Sequence, residues 1–403
     1  MLDPQALFVV AILLAALSAI LAHFGYRSPS YVVGIDLGTS FSVGAIKPAE
    51  AEKSVSPAVV KHYLTDSPLV PSVVSYFPNG TTVVGDAAVA RQDLFPEDTI
   101  YHAKRFIGKG IEEVSFDSDA HPFTVVPSPN STDEVRFSVL DHSLSVSPVD
   151  VGVQVVSELL KSVEAVVGSS GASKKVVICV PVEFNQPQRD ATRRVYEELG
   201  LTVTRLIEEP VAAAVAYNLH QRSGGASSRV VVVFDLGGGT LDVSVLQVAT
   251  FSGSINVLST SGDQQLGGQD FDRVLAKLIN EKCRRQNPNH PEHYSNVMAE
   301  RVKRELTEHE NTTVCGGQLI TRDEFAEAAS DLLDRIYDTM HRSMRLVMLD
   351  PEYVSDVVFA GGASRMPIVQ DTVYAAFEDA DPRFHTELDP DLLVALGAAN
   401  IVD

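Results

Sequence analysis

Two stretches of the chain repeat one pattern of apolar and glycine positions. Residues 31–46 read YVVGIDLGTSFSVGAI, and residues 230–246 read VVVVFDLGGGTLDVSVL. In both, an apolar run ends in Asp-Leu-Gly and a second apolar run follows. β-Branched residues on both sides of a glycine turn predict two strands joined as a hairpin. Because the pattern occurs once in each half of the chain, it predicts two similar lobes whose turns face one ligand.

Between and after the hairpins, apolar residues recur at helical spacing. This spacing predicts helices over residues 149–167, 186–200, 271–285, 297–309 and 324–348, and a further helix that Pro210 opens. Strands that alternate with helices indicate an α/β fold of two lobes with a cleft between them. The SGGASS stretch at residues 223–228 is the predicted boundary between the lobes.

The N-terminal residues 6–22, ALFVVAILLAALSAILA, contain neither charge nor proline. A run of about 17 apolar residues is the lower limit for a bilayer span and slightly long for a signal-peptide core. A cleaved signal sequence and a retained membrane anchor fit about equally, and a buried globular helix is the third interpretation. Arg27 after the segment favours a cytosolic body. Sequons for N-glycosylation at Asn79, Asn130 and Asn311 favour a lumenal one.

Composition narrows the classes of partner. A chain of 403 residues with 45% hydrophobic residues can build more than one core. Its formal net charge of −21 opposes broad binding to nucleic acids. Cys179, Cys283 and Cys315 match no zinc spacing, and an odd number prevents complete internal pairing, so we expect three isolated thiols. Cys179 lies in an apolar run and is predicted to be buried in a strand.

The glycine turns predict a phosphate site. Glycines let backbone N–H groups converge and let a ligand approach closely. An acid at such a turn cannot bind phosphate, but it can hold Mg²⁺ or its water shell. The sequence therefore predicts that the two turns hold a triphosphate, and that Asp36 and Asp235 hold its magnesium. Two ordinary hairpins without a ligand are the alternative interpretation.

Four further segments fit the same ligand. Gly267-Gly268 precedes a predicted helix, whose first N–H groups can face an anion. Gly361-Gly362 follows a predicted strand and admits a flat nucleoside against the backbone. Residues 299–307, AERVKRELT, put charged residues on one helix face, which alone would be read as a solvated surface. Lys104 and Arg105 form a short basic run.

These segments resemble one known family. GIDLGTS, YHAKRFIGK, EEPVAAAVAYNL, FDLGGGTLDVS, LGGQDFD, AGGASRMP and DPDLLVALGAA occur in the order found in heat-shock seventy chaperones. The resemblance covers nearly all of residues 31–402 and implies that family's ATPase domain, a member of the actin and hexokinase fold. The apolar N-terminus and YHAKRFIGK are most similar to the microsomal stress-seventy branch, which has an ATPase core alone.

The resemblance implies a role for each matching residue. Asp36, Glu209 and Asp235 would hold Mg²⁺, mostly through water, Asp242 would order water, and Lys104 would be the catalytic lysine. The phosphate turns would be Gly38, Thr39 and Ser40, with Phe41 in place of the usual tyrosine, and Gly237, Gly238, Gly239 and Thr240. The nucleoside would lie among Gly267, Gly268, Glu300, Lys303, Arg304, Thr307, Gly361, Gly362, Ala363, Arg365 and Asp391. Pro181 and Arg189 would relay the nucleotide state.

The resemblance also implies a domain plan. Residues 1–27 would be the signal sequence or anchor, 28–225 lobe I, 226–382 lobe II, and 383–403 a return to lobe I, with no peptide-binding domain. The expected activity is slow, Mg-dependent ATP hydrolysis by a chaperone-like monomer of the endoplasmic reticulum lumen or membrane, or of the secreted fraction. Its co-chaperone or client partner is not identified.

Other functions stay open. Val211 stands where the family usually has threonine, which favours a nucleotide-gated binding module with negligible turnover. A metabolite kinase and an actin-like filament former are further readings of the same fold.

Overall fold

A computed structural model describes Ala16 and residues 30–401, except 53–54, 115–120, 130, 169–173, 222–227 and 287–293. The predicted signal or anchor, apart from Ala16, lies outside the described residues, as do Asn130 and most of the SGGASS linker. Within the described part of the chain, no helix has the length and apolar composition needed to cross a bilayer.

The strands, in chain order, are β1 Tyr31–Leu37, β2 Phe41–Pro48, β3 Ala58–Val60, β4 Val70–Pro71, β5 Val73–Tyr76, β6 Thr82–Val84, β7 Thr99–Tyr101, β8 Thr124–Ser128, β9 Ser131–Val139, β10 Leu144–Val146, β11 Lys175–Val180, β12 Thr202–Glu208, β13 Ser228–Leu236, β14 Leu241–Ala249, β15 Ser254–Asp263, β16 Asn311–Val314, β17 Gln318–Thr321, β18 Asp356–Ala360 and β19 Arg383–His385.

The α-helices are α1 Asp86–Val89, α2 Pro148–Val167, α3 Gln186–Glu198, α4 Glu209–Ala216, α5 Gly268–Gln286, α6 Asn296–Glu308, α7 Arg322–Ala328, α8 Ser330–Arg345, α9 Pro367–Ala375 and α10 Leu393–Asn400. Short 3₁₀ helices cover Pro96–Asp98, Ala103–Arg105, Ile111–Glu113, Pro351–Tyr353 and Gly362–Arg365.

Two large sheets share one topology. The first has the order β12-β11-β1-β2-β3, and the second has the order β19-β18-β13-β14-β15. In each sheet the first three strands are parallel and the last three are antiparallel. The repeated hairpins of the sequence are thus β1–β2 and β13–β14, at equivalent places. The predicted two-lobed α/β architecture is confirmed.

Both faces of the second sheet are buried, which explains the unbroken valine run of β13. Val232 and Phe234 pack into a core with α5, α6 and α8, whereas Val231 and Val233 pack against α4 and α10 on the other face. A strand buried on both faces loses the usual alternation of apolar and polar residues. The first sheet packs against α2 and α3 through residues such as Ile35 and Val156.

Two helices close the space between the sheets. α10 packs on β1, β2 and α4, and α4 begins at Glu209 at the end of β12. Their approach needs glycine, because a Cβ at Gly397 would overlap the Ala212 carbonyl group. Before α10, β19 pairs with β18 in the second sheet, although these three residues belong to the segment assigned above to lobe I. The other predicted domain boundaries stay predictions.

Two sequence-based predictions were wrong. The helix expected over residues 324–348 is two helices, because a capping box at Thr321 and Glu324 starts α7 earlier and Ala329 breaks the helical dihedrals. The cysteines are not three isolated thiols. Cys283 in α5 and Cys315 after β16 are bonded, with a Cα–Cα distance of 5.8 Å, since the fold brings together positions 32 residues apart. Cys179 is a buried free thiol in β11, as predicted.

The glycine of β1 gives a test of the contact between β1 and α10. A methyl group at Gly34 would lie 2.6 Å from the Ala395 carbonyl oxygen and overlap the Ala399 amide nitrogen. At Gly44 on the neighbouring strand, the nearest atom is 4.0 Å away. We expect Gly34→Ala to lower the free energy of unfolding by about 1–3 kcal/mol, because backbone must shift. Gly44→Ala is the matched control in denaturant melts, and an equal effect of both variants would contradict the packing described.

Candidate functional site

The first glycine turn joins β1 to β2 and is held from outside by Ser72. The Ser72 hydroxyl donates to the Gly38 carbonyl oxygen at 2.8 Å, and its amide donates to the Ser40 carbonyl oxygen at 2.9 Å. A trans peptide unit places its C=O and its N–H on opposite sides. The Thr39 amide therefore points away from Ser72. Phe41 begins β2 with its side chain 39% exposed.

The second turn joins β13 to β14, and the carbonyl groups of its three glycines are all occupied. The amides of Gly268 and Gln269 donate to the oxygens of Gly237 and Gly238, each at 2.9 Å. Arg105 Nη2 donates to the Gly239 oxygen at 2.9 Å. By the same peptide geometry, the amides of Gly238 and Gly239 point away from the start of α5. A Cβ at Gly239 would overlap the Arg105 guanidinium, so a larger residue there would displace this contact.

The two turns face each other directly. A Cβ at Gly238 would lie 2.6 Å from Ser40 Oγ. That hydroxyl is buried and has no hydrogen-bond partner among the described residues. A buried hydroxyl without a partner costs free energy unless a ligand or water satisfies it. The turns therefore form a polar cradle with donors left over, as predicted from the repeat.

Four carboxylates line the cleft below the turns, namely Asp36, Glu209, Asp235 and Asp242. Burial, with further contributions from Glu209 and Asp391, raises the pKa of Asp36 to about 7. Burial and the charges of Glu209 and Glu183 raise the pKa of Asp242 to about 7 as well. Burial, followed by Glu209 and Asp242, raises the pKa of Asp235 well above its ordinary value. These carboxylates repel one another when they are ionised. A cation bound nearby would stabilise the ionised forms.

Lys104 provides a cation within this cluster. It lies in the 3₁₀ helix Ala103–Arg105, and its Nζ donates to Glu209 Oε1 at 2.6 Å. Burial by itself lowers the pKa of Lys104, but the charges of Glu209 and Asp36 outweigh burial and raise it. The side chain is thus a charged amine held by two carboxylates of the first sheet and the helix that follows it, Asp36 and Glu209. Pro181, one of the two predicted relay residues, lines a small cavity with Glu209 and Asp235. The other, Arg189, pairs with Glu208 at 3.1 Å.

The start of α5 and the helix α6 form one wall beside the second turn. Lys303 Nζ donates to the Gly268 carbonyl oxygen at 3.0 Å and pairs with Asp272 at 2.8 Å. Glu300 and Arg304 pair with each other at 2.7 Å on α6. Thr307 Oγ1 donates to the Lys303 carbonyl oxygen at 3.0 Å. The predicted helix start is confirmed, since α5 begins at Gly268.

The opposite wall comes from the turn after β18. A Cβ at Gly362 would lie 2.6 Å from Asp391 Oδ1, and a Cβ at Gly268 would lie 3.4 Å from Ala363 Cβ. Arg365 Nη2 donates to Asp391 Oδ2 at 2.6 Å and also pairs with Asp389. Gly361 has a φ of 74°, a conformation that favours glycine. Residues far apart in the sequence therefore meet around one cleft.

The donor set fits a magnesium–phosphate ligand. Among the described residues, no three His, Cys, Asp or Glu side chains converge closely enough to hold a metal ion directly. Mg²⁺ keeps several of its waters and binds few protein ligands, so carboxylates that act mostly through those waters suit it. Asp36, Glu209 and Asp235 are the residues that would hold it, and the amides and Ser40 of the cradle would face the phosphates.

The sequence analysis did not assign a role to several residues that hold the site together. Ser72 is one of many serines, and only the fold shows that it fixes the first turn. Asp389 and Asp272 fix Arg365 and Lys303, respectively, and both lie in the motifs already quoted. Arg105 was part of the basic run, so its contact with the second turn could have been suspected from its position next to Lys104.

Comparison with known proteins identifies the family. The family described as Hsp70 protein matches residues 32–403. The chain belongs to the Hsp70 family. Its α/β fold is therefore that of the Hsp70 ATPase domain, which agrees with the predicted two-lobed actin- and hexokinase-like fold.

Similar curated proteins carry chaperone names. A chaperone protein HscA homolog of Methylobacillus flagellatus is 37% identical over 91% of this chain and 57% of its own length. A chaperone protein dnaK of Thalassiosira pseudonana is 33% identical over 91% of this chain and 61% of its own length. A DnaK of Prochlorococcus marinus is 36% identical, with 58% of its length covered. The chain thus spans less than two thirds of the length of these relatives.

Proposed function

We propose that this chain binds ATP with Mg²⁺ and hydrolyses it slowly, as part of a chaperone-like cycle. The observation that carries the proposal is the position of Lys104 and four carboxylates beneath two facing glycine turns. The family supports it, because Hsp70 ATPase domains bind ATP or ADP with magnesium.

The turns bind the phosphate chain. The outward carbonyl contacts of the second turn leave the amides of Gly238 and Gly239 directed away from α5, and Thr39 has the same arrangement in the first turn. Converging backbone amides form an anion site that needs no charged side chain. Ser40 adds a hydroxyl donor from the opposite side. The phosphates are thereby held between the lobes, so the lobes respond to the nucleotide.

Lys104 stabilises the charge that develops on the transferred phosphoryl group. Because Glu209 and Asp36 raise its pKa, the amine is protonated at neutral pH. A protonated amine cannot take a proton from the attacking water, so Lys104 acts by position and charge. This is the usual origin of rate enhancement in phosphoryl transfer.

The carboxylates organise the metal and water. Asp36, Glu209 and Asp235 would hold the hydration shell of a magnesium ion, which would supply positive charge beside the phosphate oxygens. Asp242 lies directly opposite Asp235 in the β13–β14 ladder and orders water on the far side. The nucleoside lies between α6 and the turn after β18, with Lys303 and Arg365 held in place by Asp272 and Asp391.

We further propose that the chain works in the endoplasmic reticulum or beyond it in the secretory pathway, as the microsomal branch does. The Cys283–Cys315 bond supports this, because disulfides form and persist in oxidising compartments. Asn79 lies exposed in the turn between β5 and β6, where a sugar could be attached. Residues 6–22 would direct the chain there, as signal or anchor.

Removing the lysine amine tests the proposed chemistry. In single-turnover assays of the full chain with Mg·ATP, we expect Lys104→Ala to slow hydrolysis about 100-fold or more, with ADP affinity nearly unchanged. Lys109→Ala, at the end of the same YHAKRFIGK segment, is the matched control and should cleave at the wild-type rate. Hydrolysis by Lys104→Ala at the wild-type rate would contradict the role given to Lys104. Wild-type protein that binds ATP without cleaving it would instead support the nucleotide-gated binding module.

Glycosylation at Asn79 tests whether the body of the protein lies in the lumen of the secretory pathway. The Thr81 amide and hydroxyl donate to Asn79 Oδ1 at 3.0 and 2.7 Å, so the sequon is an ordered, accessible turn. We expect glycosidase treatment of the protein from secretory cells to increase gel mobility, and Thr81→Ala to remove part of that shift. Thr81→Ser keeps the sequon and should keep the shift. No shift in the wild type, with protease sensitivity in intact microsomes, would rule out a lumenal body.

A further inference from the structure

The disulfide closes a loop that contains the whole nucleoside-facing helix. Cys283 lies one turn before the end of α5, and Cys315 follows β16. All four predicted nucleoside residues of α6 lie between these two cysteines, namely Glu300, Lys303, Arg304 and Thr307. The bond therefore joins the chain just before α6 to the chain just after it.

Hydrogen bonds fasten the same junction at Tyr294. Asn280 of α5 donates to the Tyr294 carbonyl oxygen at 2.9 Å and accepts from the Tyr294 amide at 2.8 Å. The Cys315 amide donates to the Tyr294 hydroxyl at 3.1 Å. Tyr294 thus connects α5, the start of α6 and the second cysteine. The disulfide and these hydrogen bonds therefore hold the same junction between α5, α6 and β16.

The apolar residues that α6 places in the core are three. Among its described residues, Ala299, Val302 and Leu306 are buried. The hairpin that follows, β16–β17, has two strands of four residues each. A two-stranded hairpin of this size is marginally stable by itself. Cys283 and Cys315 are buried in the core that also holds Val302 and Leu306, so the bond lies beneath α6.

The other end of α5 touches the phosphate turn. The Gly268 amide donates to the Gly237 oxygen, and Lys303 of α6 donates to the Gly268 oxygen. α5 and α6 therefore form a pair that is tied to the second turn at one end and by the disulfide at the other. Loss of the covalent tie would let α6 move relative to the turn.

We propose that the Cys283–Cys315 disulfide positions α6 for nucleoside binding, so that nucleotide affinity depends on the oxidised state of this pair. The proposal rests on the proposed nucleotide-binding function. Reduction by a dithiol breaks the S–S bond and yields two protein thiols, while the dithiol closes to its own disulfide. Two electrons and two protons pass to the protein, which balances the exchange.

The test compares ADP binding in three forms of the full chain. These are the oxidised wild type, the wild type reduced with a dithiol, and the double variant Cys283→Ala/Cys315→Ala. Alkylation followed by mass measurement defines the state, since the oxidised chain offers Cys179 alone and the reduced chain offers all three thiols. Binding is measured by calorimetry well below every unfolding midpoint, where a change in global stability alone does not alter affinity.

We expect reduction and the double variant each to weaken Mg·ADP binding by about 5-fold or more, the usual range for coupled sites. Binding of inorganic pyrophosphate, which lacks the nucleoside, should change much less, because the turns remain. The double variant should not respond to dithiol. If that variant fails to fold, the oxidised and reduced wild-type forms supply the comparison.

Unchanged Mg·ADP affinity after verified reduction would overturn the proposal and leave the proposed function intact. Equal losses for pyrophosphate and ADP would also overturn it, since the effect would then not concern the nucleoside. Failure of the oxidised wild type to bind Mg·ADP at all would overturn the proposed function, and this proposal with it.

Discussion

Repulsion among buried carboxylates constrains every other part of the site. Asp36, Asp235 and Asp242 all have raised pKa values, first because they are buried and then because the charge of Glu209 and of neighbouring aspartates or Glu183 acts on them. Lys104 offsets part of this charge from within the cluster. Such an arrangement destabilises the free protein, so the surrounding fold must hold it together by other means. The proposed ligand, a cation with bound phosphates, would relieve the repulsion.

The duplicated sheets hold that cluster. Each sheet presents one hairpin turn and one acidic residue at the end of its first hairpin strand, so the two acids approach from opposite lobes. α4 and α10 pack between the sheets: α10 approaches α4 closely at Gly397 and approaches β1 closely at Gly34. Glu209 begins α4, so the helix that spaces the lobes also carries the partner of Lys104. The contacts of α4 therefore set both the distance between the lobes and the position of the Lys104–Glu209 pair.

The sequence predicted the parts of this arrangement that depend on local pattern. Asp36 and Asp235 were located because strand propensity and glycine turns mark them, and Gly268 because glycine pairs before an amphipathic run indicate a helix start. The family resemblance added Lys104 and Asp391, which no local pattern connects to the turns. The Cys283–Cys315 bond and the contact of Ser72 with Gly38 depend on packing of distant segments, which spacing does not encode. The break at Ala329 was missed because neither proline nor glycine marks it.

The most direct measurement of the central claim is the number of protons released when Mg·ADP binds at pH 7. A carboxyl group with a pKa of about 7 is half protonated there, and a bound cation favours its ionised form. Calorimetry in buffers with different heats of ionisation gives the number of protons. We expect a net release of about half a proton or more, and a smaller release from Asp242→Asn. Binding without proton release, or with uptake, would contradict the claim that a buried carboxylate cluster receives the metal and nucleotide.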